Sequence, residues 1–108
     1  ALGTNHPSTA TSYNNIGGVY NEKGDYDKAL ENHRKALRIK EQALGTNHPD
    51  TATSYNNIGM VYYNKGDYDK ALNFFEKAEA IFVESLGTTH PNTVTVRESI
   101  ATVKSEMN

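Results

Sequence analysis

Cysteine is absent from the chain, which removes disulfides, thiolate metal sites and cysteine nucleophiles together. On that count the redox compartment stays open, with a lean toward the cytoplasm. A surplus of positive charge is missing too. Lys and Arg total 11 against 13 for Asp and Glu, a formal net charge of −2, so no overall positive field draws in nucleic acid or an anionic membrane. Long apolar runs are lacking as well. Stretches such as Ala80-Ile81-Phe82-Val83 fall far short of the roughly 20 residues that span a bilayer, and no secretory signal opens the sequence. The first residue is Ala1 rather than Met, which reads as a processed or excised end that could have taken a targeting segment with it. What remains is a chain of 108 residues, room for one domain with a modest core and too short for two.

What is present in abundance is repetition. Laid over itself at an offset of about 42, the chain pairs ALGTNHPSTATSYNNIG with ALGTNHPDTATSYNNIG, and about 29 of the roughly 42 paired positions are identical. A third start follows at Leu86 and stops after half a unit. The expected organisation is a single repeat domain over 1–108: a first unit over about 2–43, a second over about 44–85, and a half-repeat ending in a capping helix over 86–108.

Within each unit Lys23-Gly24-Asp25-Tyr26 and Lys65-Gly66-Asp67-Tyr68 place Gly where one helix ends and Asp where the next can be capped. The loops Gly3 to Pro7, Gly45 to Pro49 and Gly87 to Pro91 follow the same logic, with Gly closing a helix, Asn, Thr or His capping the next, and Pro in its first turn. This predicts five helices, about 7–23, 26–43, 49–65, 68–85 and 91–107. Strands are disfavoured. Tyr13, Ile16, Gly17 and Tyr20, and their copies Tyr55, Ile58, Gly59 and Tyr62, recur at spacings of three and four, a helical stripe. Gly17 against Ala29 and Ala36, and Gly59 against Ala71 and Ala78, would let paired antiparallel helices approach closely.

These residues resemble the tetratricopeptide signature, an aromatic residue followed by Leu-Gly, Tyr, then Ala, Phe and Ala at fixed spacing. The second unit matches with Tyr55, Ile58, Gly59, Tyr62, Ala71, Phe75 and Ala78; the first matches with Tyr13, Ile16, Gly17, Tyr20, Ala29 and Ala36, while His33 stands in place of Phe75, a departure expected to weaken the inner packing of that unit. The usual repeat is about 34 residues, and the longer unit here is similar to the repeats of kinesin light chain and related scaffold proteins. The resemblance implies an all-α fold of tandem antiparallel helix pairs, an α-solenoid forming a right-handed superhelix, whose first helices line a concave peptide-binding groove.

Carried over residue by residue, the resemblance places Thr11, Asn14, Asn15, Gly18, Asn21 and Glu22 on that groove. Thr53, Asn56, Asn57, Met60, Tyr63 and Asn64 repeat the set, and the third first-helix adds Thr95, Glu98, Ser99 and Thr102. Of these, Asn14, Asn15, Asn21, Thr53, Asn56, Asn57, Met60, Tyr63 and Asn64 are the expected peptide contacts, with Asn15 and Asn57 foremost. A side-chain amide both donates and accepts, so it can tie down a peptide backbone without reading its side chains. The plainer reading of Asn14, Asn15, Asn56 and Asn57 is solvation or bridging between repeats. Several relatives hold acidic peptides with Lys or Arg on this surface; here neither stands at the matching positions, which argues against a clamp for an acidic tail. Lys28, Arg34, Lys35, Arg38 and Lys40 gather on a second helix, interrupted by Glu31 and Glu41, as a solvated face would be.

No catalytic constellation assembles. His6, His48 and His90 recur once per loop, about 10 Å apart if repeats stack as helix layers, too far to share one zinc, whose ligands lie about 2 Å from the metal. They read as turn-forming residues, and no metal or other cofactor is implied. Asp25 with Asp27 and Asp67 with Asp69 sit at helix starts, where carboxylates favour the positive end of the dipole. Phosphate loops, nucleophile elbows and HExxH are absent. The chain is therefore expected to be no enzyme but an adaptor for a protein or peptide partner, with neither nucleic acid nor membrane as a target. The alternative is a structural spacer or self-stacking module. The outer side of helix 7–23 has no preceding neighbour, and Ala10, Ile16 and Val19 are expected to be exposed there for homo-association. The last half-unit replaces Tyr55 and Tyr62 by Arg97 and Lys104, as suits a helix with no second helix after it, while Val96, Ile100, Val103 and Met107 form a stripe to cover the preceding helix.

Overall fold

Three histidines start three helices. His6 and His48 adopt extended backbone, and each ring Nδ1 accepts the backbone N–H two residues on, from Ser8 at 3.1 Å and Asp50 at 3.0 Å. His90 makes the same bond to Asn92 at 3.1 Å. A proline follows each histidine, and its fixed φ suits the first turn while its missing N–H would have gone unpaired there anyway. The computed structural model describes residues 6–107, apart from the side chain of Pro7. Gly3, Thr4 and Asn5 of the first predicted loop, with the chain ends at 1–2 and 108, lie outside the described residues.

The helices are α1 (Pro7–Lys23), α2 (Tyr26–Leu44), α3 (Pro49–Lys65), α4 (Tyr68–Leu86) and α5 (Pro91–Met107). They depart from the predicted spans by one residue, at the C-terminal ends of α2 and α4, and no strand occurs among the described residues. Gly24 (φ 82°) and Gly66 (φ 90°) close α1 and α3 in the left-handed region. Their N–H groups and those of Asp25 and Asp67 return to carbonyls of the last turn, at 2.9–3.1 Å, a closure that a side chain bearing Cβ would strain. The expected carboxylate cap forms at Asp67, which accepts from the Lys70 N–H. It does not form at Asp25, whose carboxylate lies 3.7 Å from the Lys28 ammonium instead.

Each helix packs on the next in sequence, and α1 also touches α3. The result is a slab of 49 × 33 × 18 Å, with α1, α3 and α5 in one layer and α2 and α4 in the other. The main core runs from Ala29 and Leu30 through Ile58, Val61, Phe75 and Phe82 to Val96, Ile100 and Val103. Thr51 and Thr93 are buried inside it and their hydroxyls donate to the carbonyls of Gly45 and Gly87, at 2.7 and 2.8 Å, so each loop is tied to the helix that follows.

The close approach within each pair is made against a ring. A Cβ on Gly17 would lie 2.8 Å from the His33 imidazole, and one on Gly59 would lie 2.8 Å from Phe75. The anticipated contact with small residues holds in part, for the Ala71 carbonyl lies 3.3 Å from that Gly59 position. His33 fills the same socket as Phe75 and is only 3% exposed. Its expected penalty is offset by a 3.0 Å bond between Nδ1 and Asn14 Oδ1. An amide oxygen can only accept, so Nδ1 carries the hydrogen.

Two expectations about the ends are corrected. Ala10 is fully buried against Ala36 and Ile39, because it lies one turn before Tyr13 and Asn14 on the side of α1 that meets α2. Met107 is 44% exposed, since it falls in the last turn of α5, beyond the end of the stripe that Val96, Ile100 and Val103 bury on α4. The tyrosines behave as read. Tyr55 and Tyr62 pack on Phe74 of α4 with ring centroids 6.1 and 5.6 Å apart, and Arg97, which replaces Tyr55, turns back to Glu79 at 2.9 Å.

Candidate functional site

Side by side, α1, α3 and α5 leave two troughs between them. The first, of about 500 Å³, is lined from α1 by Asn14, Asn15, Gly18, Asn21 and Glu22, from α3 by Asn57, Met60 and Asn64, and on its floor by His33. The second, of about 340 Å³, is lined by Met60, Tyr63 and Asn64 of α3, by Thr95, Glu98, Ser99, Thr102 and Val103 of α5, and by Phe75. Met60 and Asn64 belong to both, so the troughs are continuous. Stretches of eight or nine residues from three helices, 14–22, 57–64 and 95–103, separated in sequence by a whole unit, reach one surface because each first helix presents the same face.

Seven of the nine foremost sequence candidates therefore come together: Asn14, Asn15, Asn21, Asn57, Met60, Tyr63 and Asn64. Thr53 and Asn56 line neither trough. The Thr53 hydroxyl is turned back to the Pro49 carbonyl at 3.2 Å, and the Asn56 amide nitrogen to Met60 Sδ at 3.9 Å. Within the trough several side chains are already engaged. Asn14 holds His33, Asn64 Nδ2 donates to Asn21 Oδ1 at 3.0 Å across α1 and α3, and the Tyr63 hydroxyl donates to Glu106 at 2.8 Å across α3 and α5. The last two are one contact repeated at the next layer, since Tyr63 and Glu106 stand one unit after Asn21 and Asn64. Bridging between repeats thus falls to Asn21 and Asn64. Asn15 and Asn57 have no hydrogen-bond partner among the described residues, and their amides are open to a ligand.

The floor and the flank escaped sequence reasoning. His33 and Phe75 come from second helices, and the signal that could have found them is Gly17 and Gly59, whose missing side chains open the layer to the ring beneath. Glu106 accepts from Tyr63 and, at 3.2 Å, from Tyr68. These bonds raise both phenols above the ordinary tyrosine range, with burial and the carboxylate charge adding to the effect. Burial lowers the His33 pKa below the ordinary imidazole value, so its ring is neutral near pH 7. Glu22 and Glu98 are then the charged groups on the troughs, and no Lys or Arg among the described residues lines either. The basic residues of α2 are dispersed on the other layer. Lys28 and Lys35 lie over the Tyr20 and Tyr13 rings at 5.5 and 5.6 Å, Lys40 pairs with Asp50 at 3.8 Å, and Arg34 donates to the Tyr62 hydroxyl. Among the described residues no helix is long and apolar enough to cross a membrane.

Known structures share this arrangement. BtubC (BKLC) from P. vanneervenii superposes with a TM-score of 0.84 at 20% identity over 94% of this chain. The nearly identical TPR-like repeats of a kinesin light chain candidate from Podosopora anserina superpose at 0.82 with 23% identity over 94%, and a single-residue variant of that protein at 0.82 with 21% over 98%. At such identities the likeness is one of fold. The chain spans 41%, 48% and 49% of those three longer chains, and no curated protein matches its sequence. The repeat itself is recognisable without them: the family model for the tetratricopeptide repeat matches residues 8–82 and again 50–108, and the chain belongs to the tetratricopeptide repeat family.

Proposed function

We propose that this chain is a non-catalytic adaptor that holds an extended segment of a partner protein in the trough along α1, α3 and α5. The family generally serves as protein–protein interaction scaffolding. The observation that carries the finer reading is the pair of partnerless amides, Asn15 and Asn57, at equivalent positions on one trough. Each can donate to a peptide carbonyl and accept from a peptide N–H at once, and such main-chain capture suits a segment with no fixed structure of its own. Two and a half units offer limited contact area, so binding is expected to be weak, in the micromolar range or above, on the order of −8 kcal/mol or less in magnitude. Screening an unbiased peptide library against the chain tests this. Binders are expected, and the Asn15→Ala, Asn57→Ala double variant should weaken them about tenfold or more with its melting curve unchanged. A library without binders, or binding indifferent to both amides, would sink the reading.

A second reading, self-association through α1, is favoured by one comparison. Ile16 and Val19 are 44% and 49% exposed, whereas their copies Ile58 and Val61 on α3 are fully buried by the preceding helix α2. Sedimentation across a wide concentration range discriminates: a growing mass supports stacking, and a constant monomer mass removes it.

A further inference from the structure

Most polar hydrogens of the second trough are already spent. Ser99 and Thr102 donate their hydroxyl hydrogens to the carbonyls of Thr95 and Glu98, one turn back, at 3.2 and 3.0 Å, and the Tyr63 hydrogen goes to Glu106. Each of these oxygens keeps lone pairs and offers a ligand no hydrogen. The Thr95 hydroxyl and the second amide hydrogen of Asn64 are the exceptions, and both are neutral. Beside them on the α5 wall, the Glu98 carboxylate has no ion pair or hydrogen bond among the described residues. In the first trough the Glu22 carboxylate is likewise unpaired. On its floor the buried His33 ring gives its Nδ1 hydrogen to Asn14, which leaves Nε2 bare and without a partner among the described residues.

From these observations we infer that the partner segment is basic, and that it places an arginine or lysine side chain in each trough, against Glu98 in the second and against Glu22 in the first. This rests on the groove reading above and adds the charge of the occupant. The two sites belong to one surface, because Met60 and Asn64 line both troughs.

An ammonium or a guanidinium carries donors only, and donors of positive charge are what this lining lacks. Its aliphatic stem can lie along Met60, Phe75 and Val103 while its head reaches Glu98. A carboxylate side chain would set acceptor against acceptor and like charge against like. An aliphatic side chain would suit Phe75 and Val103, but it would strip water from Glu98 and put nothing in its place. Elsewhere the chain answers its own carboxylates, as Arg97 answers Glu79 at 2.9 Å; on the troughs no Lys or Arg among the described residues does so. Glu22 and Glu98 are both exposed, so each pairing is modest in strength and screened by salt.

The test uses the intact chain and a library of short peptides in which Arg, Lys, Glu, Gln and Leu are equally frequent. Binders are expected to be enriched in Arg and Lys, depleted in Glu, and weakened as salt rises. The Glu22→Gln, Glu98→Gln double variant keeps shape and acceptors while removing both charges, and should bind them about three- to tenfold more weakly at low salt. Glu76→Gln with Glu84→Gln removes the same charge from exposed positions of α4 that line neither trough. This control should leave affinity within about twofold, and melting curves check that both double variants fold. Suppose binding is lost in the Asn15→Ala, Asn57→Ala variant, yet the binders show no basic preference, the two Glu pairs act alike, or removing Glu22 and Glu98 changes nothing. Then this inference fails and the groove reading stands. If no peptide binds, or binding is indifferent to both amides, both fail.

Discussion

Residues of the same type, in the same local sequence, have different fates here because their neighbours differ. Ser12 and Ser54 both lie in TATSYNNIG. Ser12 is exposed and its hydroxyl reaches the Ser8 carbonyl at 3.4 Å, while Ser54 is fully buried against α2 with no partner for its hydroxyl. The third copy of this position is Val96. Removing a buried, unpaired hydroxyl and gaining helix propensity should make Ser54→Ala more stable by about 0.5–2 kcal/mol, with Ser12→Ala nearer to neutral; urea titration of both variants reads the difference, and equal effects would contradict the burial argument. His33 supplies a second contrast. Because burial depresses its folded-state pKa, the unfolded chain takes up a proton first as pH falls, so the contribution is intact above the unfolded value of about 6.5 and is lost progressively below it. Wild type should therefore lose more melting temperature between about pH 7.5 and pH 5.5 than His33→Phe, in which the remaining histidines are unchanged. Parallel curves would remove His33 as the source.

At the level of the element, helix limits were legible in the sequence because they are written in local chemistry. Gly in the left-handed region, a capping residue and Pro at the first turn act within a few residues of each other, and all five helices begin at the expected residue. Which face of a helix meets what was only partly legible, since that depends on residues about 20–40 positions away. Ala10 was misplaced for this reason, and the pairing of Asn14 with His33 or of Tyr63 with Glu106 has no local signature. The adjacent glycines of α1 make the point measurable. A methyl group on Gly17 would strike the His33 ring at 2.8 Å, while one on Gly18 meets nothing within 4 Å. Gly18→Ala should stabilise by about 0.5–1 kcal/mol through helix propensity. Gly17→Ala should destabilise by about 1–2 kcal/mol, since the overpacking of a buried ring outweighs the same gain. Chemical denaturation of the two variants would expose the argument as wrong if both shifts had the same sign.

For the molecule as a whole, stability in a stacked array is carried by contacts between neighbouring layers, so a helix is as secure as the number of neighbours that bury it. Here α3 is packed between α2 and α4, and seven of its residues are buried, among them Thr51, Ile58 and Tyr62. In α1 the copies Ile16 and Val19 face outward. The candidate site shares this asymmetry, for its first trough is walled by the loosely held α1 and its second by α3 and α5. That Ile16 and Val19 would be exposed was legible in the sequence; that the floors of the troughs would differ was not, because His33 reads only as a lapse in the repeat until the structure shows it beneath Gly17. Hydrogen exchange can compare the walls with little correction for intrinsic rates, because residues 9–17 and 51–59 have the same sequence, TATSYNNIG. Amides of α1 should exchange through local opening well before those of α3, whose exposure requires breaking contacts on both sides and approaches global unfolding. Equal protection would mean that α1 is covered in solution, and a protection that rises with protein concentration would identify the cover as a second copy of the chain.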